Sequence, residues 1–148
     1  MDRAEFDKHF KIRKHFAKEF KPPKNETKGV YKLIGDNGFD YSLDYQIGFL
    51  GNIKLEFLAT ETKQKLQTRV AQTYMVRLEV NAPPHMDSIT GKLSRNHIHF
   101  CYPDGIVTHQ LEGYDKEKFL SLDYINMLRD FLILCNIDIS EIKFQGVV

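Results

Sequence analysis

Long apolar runs are absent from this 148-residue chain. None approaches the ~20 residues that a membrane-spanning helix needs. The first residues are charged and carry no apolar stretch of signal-peptide type. These absences predict a cytoplasmic protein with no membrane partner. Cysteine is scarce: Cys101 and Cys135 are the two in the chain, and a disulfide framework for a small secreted domain normally needs more. Both lie in apolar stretches, which predicts reduced, buried and inert thiols. Neither sign of charge dominates, with 21 Lys+Arg against 20 Asp+Glu and a formal charge of +1. That balance excludes a uniformly basic nucleic-acid binder but leaves room for a local basic groove. No phosphate-cradling glycine loop follows a strand, because Gly35-Asp36-Asn37-Gly38 reads as a turn. There is no Cys-x-x-Cys and no nucleophile elbow around a serine.

Hydrophobic residues make up 42% of the chain and charged residues 28%, a globular balance. A chain of this length reads as one domain, 1–148, able to bury roughly 68–70% of its unfolded surface. Asp2 to Phe20 reads as a basic amphipathic helix. Phe6, Phe10, Phe16 and Phe20 recur near helical spacing, and Lys8, Lys11, Arg13, Lys14 and Lys18 fill the other faces. Residues 1–21 would then dock by their phenylalanines or stand at the periphery of a body spanning 29–144. Pro22-Pro23 ends the helix.

From Gly29 onward the pattern is that of strands separated by short turns: 30–34, 39–47, 53–60, a more polar 65–72, and 73–81. In the last of these, Tyr74, Val76, Leu78 and Val80 share one face, opposite Thr73, Met75, Arg77, Glu79 and Asn81. Strands 97–102 and 106–111 form a hairpin around Pro103-Asp104-Gly105. Leu122 to Asn136 is a second amphipathic helix, and a short strand follows at 139–144. Short turns favour antiparallel pairing. The expected fold is α+β: a meandering antiparallel sheet with an N-terminal and a C-terminal helix packed on it. Tyr41, Tyr45, Phe49 and Phe57 could stack bases, but their alternation suits a core better.

Chemistry concentrates between Asn81 and His99, where three of the six histidines lie. Asn81-Ala82-Pro83-Pro84-His85 precedes a polar loop and Asn96-His97-Ile98-His99. His97 and His99 alternate in a strand, so their side chains leave one face. If that strand pairs with 73–81, both imidazoles come beside Arg77 and Glu79, and His85 can fold back from its loop. Imidazoles can exchange protons near neutral pH, a carboxylate can orient one of them, and an arginine can neutralise an anion. This set suits cleavage of RNA, where the 2′-hydroxyl is the nucleophile and no metal is required. The expected catalytic residues are His97, His99, His85, Arg77 and Glu79. Asn81, Arg69 and Lys65 are the expected substrate-binding residues, and no cofactor or metal is assigned. The structural alternative is a solvated strand face whose Arg77–Glu79 pair contributes little.

His109 depends on the hairpin register. A three-residue loop puts it opposite His99, whereas an Asp-Gly loop pairs it with Phe100 on the other face. A metal-dependent reading also exists. Gly91, five residues, then His97-Ile98-His99 is similar to the start of the first cupin motif, with His85 or His109 as a third ligand. The motif's glutamate and its second half are missing, and Asp104 is committed to a turn.

Arg77-Leu78-Glu79-Val80-Asn81-Ala82-Pro83-Pro84-His85, Asn96-His97-Ile98-His99 and Phe131-Leu132-Ile133-Leu134-Cys135-Asn136-Ile137 resemble a family of small bacterial and phage proteins. That family shows an Arg-Leu-Asp-x-Asn-Gly-Pro-Pro-His stretch and a His-x-His strand, and it has no assigned activity. Glu79 and Ala82 depart from its pattern conservatively. A fainter similarity is to TumE-like toxins of toxin–antitoxin modules, through Asn81-Ala82-Pro83, His85, His97 and His99 with one extra proline. The resemblance implies a mobile-element or defence context and a nuclease toxin. The expected function is therefore a small, metal-independent ribonuclease of toxin type. The rival is a non-catalytic inhibitor or antitoxin of a phage or plasmid, which binds a host nucleoprotein or toxin. RNA, a nucleoprotein or a protein is the expected partner, and nothing in the sequence specifies an oligomeric state.

Overall fold

The computed structural model describes residues 1–22, 28–48, 52–62, 70–111 and 124–144, with the backbone alone at 61, 62, 70 and 71. Helix α1 (Arg3–Lys11) starts at Asp2, whose side chain accepts from the Glu5 backbone N–H at 2.8 Å. The Asp2-x-x-Glu5 spacing has the form of a capping box. The helix is shorter than the phenylalanine spacing suggests, because the chain turns extended at Ile12 and becomes strand β1 (Lys14–Phe16). There the backbone of Lys14 finds partners in Asn136 and Asp138, and β1 pairs with Gly35, Ile34 and Leu33. Tertiary pairing replaces the second half of the expected helix. Nor is α1 peripheral: Phe6 is buried against Phe10 and Tyr102 and belongs to the main core.

The remaining strands are β2 (Lys28–Gly35), β3 (Asp40–Ile47), β4 (Ile53–Thr62), β5 (Val70–Val80), β6 (His85–Met86), β7 (Leu93–Ser94), β8 (His97–Tyr102) and β9 (Gly105–Gln110). Seven form one sheet in the order β1-β2-β3-β4-β5-β8-β9, each pair antiparallel, while β6 and β7 make a separate small hairpin. This is the expected α+β meander carrying an N-terminal and a C-terminal helix. A meander is not the double Greek key of a jelly roll, so the cupin likeness stops at the histidine spacing. Helix α2 (Tyr124–Leu134) buries Met127, Leu128, Phe131 and Leu132 in the same core as Phe6, Leu55, Phe57, Leu78 and Ile98. After α2 the chain returns to the sheet at Ile137, which bridges to Lys14 in parallel. The strand expected at 139–144 is absent, and Ile142 instead closes a turn onto the Ile139 carbonyl.

Alternation predicts which side chains share the apolar face, except at one place. Between Phe57 and Leu58 the β4–β5 register shifts: Val76 pairs with Phe57, but Tyr74 pairs with Leu58. Met75 is the extra residue of a β-bulge, which reverses the inside–outside order beyond it. Met75 is thus buried, and Tyr74 is exposed on the opposite face with the Arg77 guanidinium 5.2 Å from its ring centre. Both reverse the reading from strict alternation. Tyr41 and Phe57 are core residues and Tyr45 packs against the core, while Phe49 lies outside the described residues. Cys135 is fully buried, Cys101 is half-buried, and neither is in a disulfide.

Candidate functional site

The face of the sheet opposite α1 and α2 carries the polar members of β4, β5 and β8. Cross-strand partners share a face, and the register sets Lys54 beside Glu79, Glu56 beside Arg77, Arg77 beside His99, and Glu79 beside His97. The pairing expected between 73–81 and 97–102 is therefore present. At the end of β5, Asn81 takes a left-handed φ of 56°, which only a few non-glycine residues tolerate well. It turns the chain out of the sheet, and Asn96 closes the excursion by accepting from the Asn81 backbone N–H at 3.1 Å. Within that loop β6 pairs with β7 and brings His85 back over β8.

The three imidazoles form a compact triangle. Ring centres are 4.5 Å apart for His85–His97, 5.0 Å for His85–His99 and 4.6 Å for His97–His99. One nitrogen from each ring lies within 4.8 Å of the other two. His97 and His99 are buried and His85 is exposed, so the triangle meets solvent at His85. Glu79 faces both buried rings: its Oε1 stands 3.8 Å from His97 Nε2 and 3.7 Å from His99 Nε2.

The far sides of the rings are anchored. His97 Nδ1 lies 3.2 Å from the Ser94 carbonyl. A carbonyl can only accept, so Nδ1 carries the hydrogen and the neutral ring leaves Nε2 as a bare lone pair. His99 Nδ1 is 2.7 Å from the Thr108 hydroxyl. Thr108 is held in turn by Ser88, whose Oγ accepts from the Thr108 N–H at 2.8 Å and whose N–H donates to the Thr108 carbonyl at 2.7 Å. Burial is the leading influence on both imidazoles and disfavours their protonated forms. It pushes His99 down to about 4, with His97, His85 and Arg77 adding to the effect and Glu79 opposing it. His97 is lowered for the same main reason, against the pull of Ser94 and Glu79. At neutral pH both rings are therefore suited to accept a proton.

Arg77 does not pair with Glu79. Its Nε stands 3.0 Å from Glu56 Oε2, off the N–H axis, which makes an ion pair and not an aligned hydrogen bond. Lys54 reaches the same carboxylate at 3.5 Å. Arg77 is thus adjacent to the histidines but already neutralised. Asn81 and Glu79 line a cleft of about 180 Å³ together with Lys54, Ala82 and Pro83. Lys65 and Arg69 lie outside the described residues.

The hairpin turn settles His109. Tyr102 pairs with Gly105 and Phe100 with Val107, so Pro103-Asp104 forms the loop and Gly105 takes a φ of +148° that suits glycine. Neither expected register is used. His109 pairs with Ile98 and therefore leaves the sheet on the face away from His97 and His99, its Nδ1 4.0 Å from Asp87. Asp87 was not a sequence candidate. Its carboxylate accepts from the N–H groups of Ile89, Thr90 and Gln110 and ties the β6–β7 loop to the sheet edge. Those contacts, the Thr90 N–H first, hold it down to about 2. Its Asp-x-x-Thr spacing is a local turn signal visible in the sequence, whereas the partners Ser94, Thr108 and Glu56 become visible only with the register. No protein-family model matches the chain, and searches of the curated proteins and of the solved structures return no significant match.

Proposed function

We propose that this chain is a small RNA-cleaving enzyme of toxin type, carried by a mobile element or a defence or anti-defence locus. The observation that carries the reading is the convergence of three imidazoles and one carboxylate on a face open to solvent at His85, beside the cleft lined by Lys54, Glu79 and Asn81. In the reaction the 2′-oxygen attacks phosphorus, the bond to the 5′-oxygen breaks, and a 2′,3′-cyclic phosphate forms. The 2′-hydroxyl proton passes to a base and another proton passes to the departing oxygen. His99, oriented by Thr108, suits the role of base. His85, the exposed ring of the triangle, is better placed than buried His97 to reach the leaving group. Lys54 supplies a cation to the cleft and Arg77 supplies one beside His99, although both are shared with Glu56. Incubation of purified protein with single-stranded RNA tests the reading. Cleavage lost in His97→Ala/His99→Ala with the fold retained supports it, and full activity in that double variant overturns it.

A second reading is a non-catalytic protein that binds and blocks a nucleoprotein or toxin. It draws on the exposed Lys8, Lys11 and Lys18 around the edge strand β1. It predicts that charge reversal at those lysines weakens capture of the partner and that the histidine variants do not.

A further inference from the structure

We propose that His85, His97, His99 and Glu79 form a binding site for one divalent first-row transition ion of the zinc class. This departs from the metal-free expectation. It rests on the same cluster as the RNA reading but not on the substrate.

The first argument is an unpaid polar debt. His97 Nε2 is buried and has no hydrogen-bond partner among the described residues. The nearest carboxylate oxygen, at 3.8 Å, is too far for one. A buried nitrogen left unsatisfied loses its solvation with nothing in return. Simple packing does not explain why its lone pair faces two more imidazoles and a carboxylate. A cation at the centre satisfies all four groups together.

The second argument is geometry. Ligands held about 2.0–2.1 Å from a zinc-class ion stand about 3.3 Å apart at the corners of a tetrahedron. Here the three nitrogens lie within 4.8 Å of one another, and Glu79 Oε1 is 3.7 and 3.8 Å from two of them. Inward movements of under about 1 Å per ligand close the site. The most exposed donor, His85, sits on the short hairpin β6–β7 and is the freest to move.

The third argument is the support behind the ligands. Metal-bound histidines commonly engage their other ring nitrogen with a carbonyl, carboxylate or similar group, which fixes the tautomer. His97 does so with the Ser94 carbonyl and His99 with the Thr108 hydroxyl. Imidazole donors select zinc, iron, nickel or copper over magnesium and calcium, which prefer all-oxygen shells. Three neutral imidazoles and one carboxylate leave a net charge of about +1 on a bound divalent ion. Such a centre can polarise a phosphoryl or carbonyl oxygen, or lower the pKa of a bound water.

The test uses the full chain, purified without a histidine tag and stripped with chelator, then titrated with Zn²⁺ by calorimetry and with Co²⁺ by visible absorption. One equivalent of each ion should bind, with Co²⁺ giving the bands of a low-coordinate nitrogen–oxygen site. His85→Ala alters an exposed side chain, so its fold is not at risk, and it should weaken Zn²⁺ binding at least tenfold. His97→Gln/His99→Gln should abolish binding, and His109→Ala should leave it unchanged. Absence of stoichiometric Zn²⁺, or equal affinity in wild type and His85→Ala, overturns the inference. An RNA-cleavage assay beside the titration separates the two proposals. Cleavage by a protein that takes up no Zn²⁺ in the titration removes the metal centre and keeps the ribonuclease, and stoichiometric Zn²⁺ binding without cleavage, with or without the metal, does the reverse.

Discussion

His97 and Glu79 are direct cross-strand partners, yet Nε2 and Oε1 stop 3.8 Å apart, just beyond hydrogen-bonding distance. The same oxygen holds the same distance, within 0.1 Å, from His99 Nε2, which lies at 3.7 Å. A carboxylate placed symmetrically between two rings, and bonded to neither, is positioned for a third party: a proton in transit, a substrate hydroxyl or a metal ion.

Glu79→Gln tests that placement. Glutamine keeps the shape and loses the charge, so the sheet should remain intact by far-UV circular dichroism. If the cluster cleaves RNA, the rate should fall by about 10²-fold or more, the usual scale for losing one proton-transfer group. A change of less than about threefold would remove Glu79 from the chemistry.

Thr108 reaches the histidine cluster through His99. Thr108→Val keeps the volume and removes the hydroxyl that lies 2.7 Å from His99 Nδ1. Loss of such an outer contact typically lowers metal affinity 10–100-fold. The expected result is a weakened Zn²⁺ titration with stability reduced by only about 1 kcal/mol. Thr108→Ser should restore the affinity, which a purely packing role for the methyl group would not predict.

Local patterning made much of this arrangement legible. Period-two alternation sets His97 and His99 on one face and Arg77 and Glu79 on one face, and the short turns require antiparallel neighbours. What was hidden depends on register between strands far apart in sequence. The bulge at Met75 leaves no mark on composition, yet it reverses Tyr74 and Met75. Glu56 reads as one more charged strand residue until pairing sets it against Arg77. The N-terminal phenylalanines satisfy a helical repeat through Phe20, but Phe16 and Phe20 instead stack on each other against Tyr31, off the helix. Edge pairing of β1 outweighs helix propensity there, because it satisfies backbone groups at both β2 and Ile137.

The N-terminal segment is part of the core, which changes how its role in binding can be probed. Phe6→Ala should cost about 3–5 kcal/mol, as expected for a fully buried aromatic. Deleting residues 1–21 would remove Phe6, Lys14 and strand β1 together, so lost binding would report lost folding. Lys8→Glu/Lys11→Glu changes exposed positions only and should shift stability by under about 0.5 kcal/mol in urea denaturation. Undiminished partner capture by this variant would count against a basic docking surface on α1.

Lys14 predicts an unusual pH dependence of stability. Its side chain is fully buried, and Nζ donates to the Phe10 carbonyl at 3.0 Å and the Cys135 carbonyl at 2.7 Å, joining the ends of α1 and α2. The rings of Phe57 and Tyr41 flank it at 4.6 and 5.4 Å. Burial lowers the ammonium from its ordinary 10.5 to about 8, with Cys135 opposing. Burial raises the Cys135 thiol from 9.0 to about 12, with Lys14 opposing, and also raises the Tyr41 phenol above its ordinary range. Between pH 8 and 10.5 the unfolded chain therefore holds a Lys14 proton that the folded chain lacks, and stability rises with pH. Cys135, Cys101 and Tyr41, all raised by burial, act in the opposite sense, because the folded chain keeps protons that the unfolded chain releases, but they do so mainly above pH 9. Lys14 thus dominates from about pH 7.5 to 9. Urea denaturation of the wild type should show a net gain of about 0.5 to 1 kcal/mol across that window. In Lys14→Met the rise should vanish, leaving only the decline toward higher pH. A wild-type curve that is flat or falling between those limits would mean that the buried amine stays charged, stabilised by the helix-end carbonyls more strongly than burial opposes it.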